Sequence, residues 1–333
     1  MARISIVIVN YNTVALLEQC LQSIYAGAEG LSLDVWLVDN SSQDESVAMV
    51  RSLFPQVRVI ANRSNVGFSR ANNLALAQCR SEYVLLLNPD TVVLGDALRR
   101  MVRFLDRHPR VGIAGGRVLN GDGTLQLACR RSIPTPAVAF FRLTGLSRLF
   151  PKSRRMARYN VTYQDPARTC AVDAVSGAFL MIRRRTMQDI GLLDERFFMY
   201  GEDLDWCLRA KQAGWRVMYY PRATIIHYKG RAVRHNSHRA TRAFYHSMWL
   251  FHRKHFAESC SAITNLLVYA GILGLGVLSW RRWLFPVRGH PTRIVPGDGE
   301  ASLGLCRDAS LRERVSLDGA HRPRPVGLWA QRG

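Results

Sequence analysis

Residues 4–12 read Ile-Ser-Ile-Val-Ile-Val-Asn-Tyr-Asn, an apolar, largely β-branched run that stops abruptly in polar residues. The run from Ile4 to Val9 is too short for the apolar centre of a signal peptide and reads as a buried first strand. Outward from it, the chain alternates. A helix is expected over Val14–Tyr25, a strand over Leu33–Asp39, a helix over Glu45–Phe54 and a strand over Val57–Ala61. Then follow a helix over Gly67–Cys79, a strand over Tyr83–Leu87 and a helix over Gly95–Arg107. Strand and helix in strict alternation imply an α/β class: parallel βαβ units, a Rossmann-like, mostly parallel sheet and helices on both faces. Ligands of such sheets gather at the carboxyl ends of the strands.

Those ends are where the polar residues lie. The first strand runs into Asn10-Tyr11-Asn12, the second into Asp39-Asn40-Ser41-Ser42, and the strand from Tyr83 into Asn88-Pro89-Asp90-Thr91. Helix capping by Asn, Asp and Ser is the competing reading at any one of them; three in one sheet favour a shared polar rim. Asn65-Val66-Gly67-Phe68-Ser69-Arg70-Ala71-Asn72-Asn73 opens a helix at a glycine and places Arg70 in its first turns, a natural setting for phosphate. A glycine turn serves packing equally well. Asp90, at the end of an apolar strand, suits a hard divalent cation that bridges a carboxylate to substrate phosphates, against the plainer reading of a proline turn.

Further on, Gly201-Glu202-Asp203-Leu204-Asp205-Trp206 crowds three carboxylates together. Crowded carboxylates raise one another's proton affinity and suit bases or metal ligands, whereas an acidic helix start facing the macrodipole is the structural alternative. His227 follows a strand-like stretch, Trp215–Ile226, where a histidine is usually just packed and hydrogen bonded. Between these motifs, Cys129–Arg158 holds eight Lys or Arg and no acid and reads as a mobile basic excursion; Ala171–Ile182 resumes a strand pattern, and Glu202–Gly214 is helical.

In this order the motifs resemble the family-2 glycosyltransferases, inverting enzymes of the GT-A fold, and especially their rhamnosyltransferase-like bacterial branch. The resemblance covers roughly Ile4 to Gly230 and implies a nucleotide-sugar site and a catalytic pair. It assigns Val9, Tyr11, Asn12 and Asp39 to the nucleotide, with Asn65, Gly67, Ala71 and Asn73 beside it; Arg70, read above as a phosphate holder, is expected at the same site. The family's D-x-D metal motif appears as Asn88-Pro89-Asp90, so an amide replaces its first acid and Asp90 is left as the main expected ligand of Mg²⁺ or Mn²⁺. His227, in an H-x-x-G setting with Gly230, completes that metal site. The family's E-D pair maps onto Glu202 and Asp203, with Asp203 expected as the base that deprotonates the acceptor. Gly177, Glu202 and Trp206 fall on the acceptor side.

Composition frames the partners. The chain has 333 residues, 48% of them hydrophobic, and a formal charge of +21, which calls for a polyanionic partner. The seven cysteines include no C-x-x-C pair and fit a reducing cytosol. Trp206 to Ala257 is a second acid-free stretch with six of the nine histidines, and within it Phe244–Phe256 resembles an interfacial helix. It leads into Ala262–Trp280, close to the roughly 20 apolar residues that cross a bilayer; a buried core helix is the alternative.

The expected organisation is a GT-A catalytic domain over 1–235, membrane-associating helices over 236–284 and a disordered basic tail over 285–333. The expected partners are a dTDP- or UDP-linked sugar, a lipid-linked glycan acceptor and an anionic membrane surface, at the cytoplasmic face of the plasma membrane, peripheral or single-span. Two other classes share some features. A nucleotidyltransferase would use a similar sheet and metal but offers a Gly- and Lys-rich phosphate loop near the first strand, which Asn10–Val14 is not. A nucleic-acid-binding protein would explain the charge but not Asp39, Asp90 and the Glu202 cluster, which repel phosphate without a metal between. No nucleic-acid partner is therefore expected.

Overall fold

The computed structural model describes residues 3–228 and 237–284. Gly230 and the tail over 285–333 lie outside the described residues. Met1–Arg281 forms one compact unit. Its first half follows the expected alternation: β1 (Ile4–Asn10), α1 (Val14–Ala26), β2 (Leu33–Asp39), α2 (Ser46–Leu53), β3 (Arg58–Ala61), α3 (Phe68–Leu76), β4 (Tyr83–Leu87), β5 (Thr91–Val93) and α4 (Ala97–Arg107). The second half holds β6 (Val111–Leu119), β7 (Arg130–Arg131), α5 (Pro136–Leu143), α6 (Leu146–Leu149), β8 (Cys170–Ala171), β9 (Ala174–Val175), β10 (Phe179–Arg183), α7 (Arg184–Ile190), α8 (Glu202–Gln212), β11 (Arg216–His227), α9 (Ser237–His255) and α10 (Ala262–Leu284).

The main sheet runs β3-β2-β1-β4-β10-β6-β11-β5. Every residue of β1 and of β4 is buried, as expected of central strands covered on both faces. From β3 to β4 all pairings are parallel. Beyond β4 the sheet is mixed, because β10 enters antiparallel between β4 and β6, and β5 pairs antiparallel with β11. These insertions build the site. Asn88, just past β4, donates its backbone N–H to the Ala178 carbonyl at 3.2 Å, at the start of β10. The β5–β11 register sets His227 opposite Thr91, and the Tyr228 N–H reaches the Asp90 carbonyl at 2.8 Å. The histidine at the end of one strand thus comes to lie against the acid following another.

The basic stretch after Cys129 is structured. Its first residues pair as β7 with β9, which buries both Arg130 and Arg131.

The helix expected at Phe244–Phe256 belongs to α9, and its apolar face packs on protein: Ala240, Ala243, Leu250 and Phe251 are buried. Its end is fastened to Asp205 by Lys254 at 2.6 Å and His255 at 2.8 Å. Asp205 has no exposure, and Arg209 approaches its other oxygen at 2.8 Å. Burial works against the Asp205 charge, but hydrogen bonds from His255 and Lys254 and the Arg209 charge outweigh it and lower its pKa. The third acid of the crowded motif is therefore a structural anchor.

The following helix, α10, is 23 residues long, about 34 Å at 1.5 Å per residue, against a hydrocarbon core of about 30 Å. Its Ala262–Ser279 window has a mean hydropathy of 1.8 and is only 6% buried, so it is not a core helix.

Candidate active site

A cleft of about 1030 Å³ opens at the carboxyl ends of β1 and β4. Val9, Tyr11, Asn65, Gly67, Asn88, Asp90, Gly177, Glu202, Asp203 and His227 all line it. The acid expected to hold a cation and the acid expected to face the acceptor therefore share one cavity, although more than a hundred residues separate them in sequence.

Around Asp90 the polar groups leave a gap. His227 Nδ1 lies 3.0 Å from Gln126 Oε1, while Gln126 Nε2 donates to the His227 carbonyl at 2.7 Å. With the amide so oriented, Oε1 can only accept, which places a proton on Nδ1 and turns the Nε2 lone pair towards the cleft. Asn88 Nδ2 is 3.3 Å from Nε2, and Asp90 Oδ1 is 3.1 Å from it. Asp90 Oδ1 is buried without a hydrogen-bond donor. A nitrogen lone pair facing a carboxylate oxygen repels it unless a second proton or a cation sits with them. This pair suits a divalent cation with few protein ligands, since no cluster of three His, Cys, Asp or Glu occurs among the described residues. Diphosphate oxygens and water would complete its coordination.

Across the cleft, Asp203 is held by donors. Its Oδ2 accepts from Arg131 Nη2 at 2.6 Å and from the Gly177 N–H at 2.9 Å, and its Oδ1 accepts from the Leu204 N–H at 2.8 Å. Arg131 also donates to the Val175 carbonyl at 2.8 Å. Burial opposes the Arg131 charge, but the Asp203 carboxylate more than compensates, so the guanidinium holds its proton more firmly than usual. Glu202 has the opposite environment. Its Oε2 is buried without a partner, and burial first, then the Asp203 charge, pushes its pKa up to about 8. The two carboxylates are set up differently: Asp203 is pinned by donors, and Glu202 is inclined to keep its proton. The loop leading into them is strained: Tyr200, at φ 71°, takes a conformation that side-chain-bearing residues rarely adopt.

The Glu202 environment has a measurable consequence. Its pKa lies above the ordinary 4.5, so between 4.5 and about 8 the folded state binds more protons than the unfolded one. Its contribution to stability is complete below that window and is lost as pH rises through it. The parent chain's melting temperature is therefore expected to decline between pH 5 and 8, and Glu202→Gln to flatten that decline. Parallel declines in the two proteins would show that Glu202 is not the titrating group.

Several expected residues stand outside the cleft lining. Trp206 has no exposed surface and donates its indole N–H to the Gly191 carbonyl at 2.9 Å, so it packs under the site instead of meeting an acceptor. Asn73 spends its amide on the Leu193 backbone, donating at 2.9 Å and accepting at 3.1 Å. Arg70 is exposed, with Glu195 as a distant partner at 3.9 Å. Asp39 accepts from Asn10, at 2.9 Å, and from the Ser42 hydroxyl, at 2.6 Å, while Asn12 accepts the Gln43 N–H at 2.7 Å; both tie the β1 and β2 ends together behind the lining.

Gly67 is required where it stands. Its φ is 90°, and a Cβ there would lie 2.7 Å from the Phe198 carbonyl oxygen. Gly67→Ala should destabilise the fold by on the order of 1–3 kcal/mol, read from the urea midpoint.

The profile of glycosyl transferase family 2 matches residues 5–191. The chain belongs to that family. Among the relatives of this family-2 glycosyltransferase is N-acetylglucosaminyl-diphospho-decaprenol L-rhamnosyltransferase of Mycobacterium tuberculosis, 26% identical over 257 residues, or 74% of this chain and 82% of the relative. Rhamnosyltransferase WbbL of Escherichia coli is 26% identical over 198 residues, 56% of this chain and 67% of its own. Mannosyltransferase PcManGT of Pyrobaculum calidifontis, solved with GDP-Man and Mn²⁺, shares the fold at a TM-score of 0.52 and 16% identity, over 86% of this chain and 81% of that one. The GT-A architecture expected of the family is thus the one observed.

Proposed function

We propose that this family-2 enzyme moves a sugar, rhamnose being the leading candidate, from a dTDP- or UDP-linked donor to a hydroxyl of a lipid-linked diphosphate sugar. The observation that carries the reading is the single cleft in which Asp90 and His227 face Asp203 and Glu202. Two rhamnosyltransferase relatives, one of them named for a decaprenol-linked substrate, support the donor sugar and the acceptor class.

Transfer occurs in one in-line displacement with inversion. Asp90 and His227 would hold Mg²⁺ or Mn²⁺, which would supply positive charge to offset that of the departing diphosphate. Tyr11, Asn65 and Gly67 line the nucleotide end. Asp203 accepts the proton of the attacking hydroxyl; Arg131 and the Gly177 N–H hold its carboxylate in place. Glu202, protonated near neutrality, donates a hydrogen bond to the acceptor sugar, and no covalent intermediate forms. Residues 1–235 perform the transfer and 236–284 associate with the cytoplasmic face of the plasma membrane. The exposed apolar surface of α10 supports that association.

The test is a donor screen with purified protein, Mg²⁺ or Mn²⁺, and N-acetylglucosaminyl-diphospho-polyprenol. Consumption of a nucleotide sugar with a matching mass gain on the lipid supports the reading. Turnover of nucleoside triphosphate and sugar phosphate, with no lipid product, would replace it with a nucleotidyltransferase.

A further inference from the structure

A site for a nucleotide sugar and a sugar hydroxyl needs polar walls, yet the same cavity continues onto α5, α9 and α10. There its lining is Phe140, Leu143, Met248, Leu267, Gly271 and Leu275. Phe140 is 57% exposed, Leu143 47% and Leu267 67%, so the apolar side chains stand open at the mouth of a catalytic cleft instead of closing on one another. Open apolar surface of this kind marks an apolar ligand or partner.

Two arginines lining the same cavity say what the ligand's polar part is. The Arg142 guanidinium lies over the Tyr159 ring at 4.2 Å and that of Arg239 over the Phe198 ring at 4.5 Å. Neither is paired with a carboxylate among the described residues. A guanidinium stacked by its face keeps its N–H edge available, in the planar fork geometry that fits phosphate oxygens. Arg131, by contrast, is committed to Asp203.

We propose that the apolar arm of the cleft seats the prenyl chain of the acceptor, while Arg142 and Arg239 take the diphosphate joining that chain to the sugar; this rests on the acceptor class proposed above. One wall of the arm is α10, the helix long and apolar enough to lie in a bilayer. A chain entering beside α10 stays in an apolar environment throughout. That matters because each methylene drawn into water weakens binding by about fourfold.

Gly271 provides the test. It lines the cleft, and a Cβ built on it meets nothing within 4 Å, so Gly271→Phe places a ring in the arm without disturbing the helix. Gly274, on the same helix, also has nothing within 4 Å but does not line the cleft, so Gly274→Phe controls for added apolar bulk. With the full chain in detergent, binding of geranylgeranyl diphosphate is expected to weaken by about tenfold or more in Gly271→Phe and in Arg142→Gln with Arg239→Gln, but not in Gly274→Phe. Equal weakening by both glycine variants, unchanged binding in Gly271→Phe, or displacement of the probe by phospholipid alone would overturn the proposal.

Binding requires no sugar transfer, so the two readings fail separately. Probe binding that Gly271→Phe abolishes, in a chain that glycosylates only lipid-free acceptors, would remove the acceptor class and leave the prenyl seat. Transfer to a polyprenyl acceptor at an undiminished kcat/KM in Gly271→Phe would remove the seat and leave the acceptor class.

Discussion

Asp203→Asn is expected to lower sugar transfer by about three orders of magnitude while shifting the donor's dissociation constant by no more than about twofold. The expectation follows from how the carboxylate is held. Both Asp203 oxygens accept hydrogen bonds, Oδ2 from Arg131 and Gly177 and Oδ1 from Leu204. The amide is isosteric but has lost the acceptor strength that takes up a proton from the incoming hydroxyl. Whichever way it is turned, its NH₂ meets an N–H donor, so some stability, about 1–3 kcal/mol, goes with the activity. Donor binding therefore has to be measured beside turnover. A variant that binds the nucleotide sugar and does not transfer it identifies the base; one that has lost both has only unfolded. Glu202→Gln is the contrast, because a residue that already keeps its proton near neutrality loses less on becoming an amide. Transfer that falls as far in Glu202→Gln, with full activity in Asp203→Asn, would exchange the two roles.

The strand ends were readable because a central parallel strand is apolar throughout and its polar terminus is abrupt. Leu33–Asp39 and Tyr83–Leu87 match the observed β2 and β4 residue for residue. Between Arg107 and Cys129 the sequence pattern assigns no element, although β6 lies there. Its glycines obscure the alternation, and packing explains them: a Cβ on Gly115 would sit 2.4 Å from the Val175 side chain, and one on Gly116 would sit 2.4 Å from the Ala223 carbonyl.

Arg131 was hidden differently. One arginine in an acid-free basic tract has no local mark, and only the pairing of β7 with β9 turns it towards Asp203. Gln126, which orients His227, carries no sequence signal at all. The α9 apolar face was legible as a face but not as to what covers it, since protein and lipid select the same periodicity. Trp206 misled for a related reason. It sits beside the acidic motif in sequence, but helical geometry turns it away from the cleft and under the fold.

Asp90→Ala should abolish the part of donor affinity that depends on Mg²⁺ or Mn²⁺, about a hundredfold, and leave the metal-independent part in place. Asp90 is the one carboxylate among the cleft-lining residues of the Asn88-Pro89-Asp90 turn, and its Oδ1 is buried with no donor to satisfy it. Removing it leaves His227 as a single nitrogen ligand, too little to hold a hard cation against water. The neighbouring amide sharpens the prediction. Asn88 directs its Nδ2 at His227 Nε2 across 3.3 Å, so at this position the chain offers a hydrogen-bond donor where a second acid would add negative charge. A site with one carboxylate should be filled chiefly when the diphosphate supplies the remaining oxygens, so donor and metal ought to bind with strong mutual dependence in the parent chain. Titrating nucleoside diphosphate with and without the cation measures that dependence directly. It should vanish in Asp90→Ala and weaken in Gln126→Leu, where His227 loses the acceptor that fixes its tautomer. Full metal dependence retained in Asp90→Ala would place the cation elsewhere in the cleft.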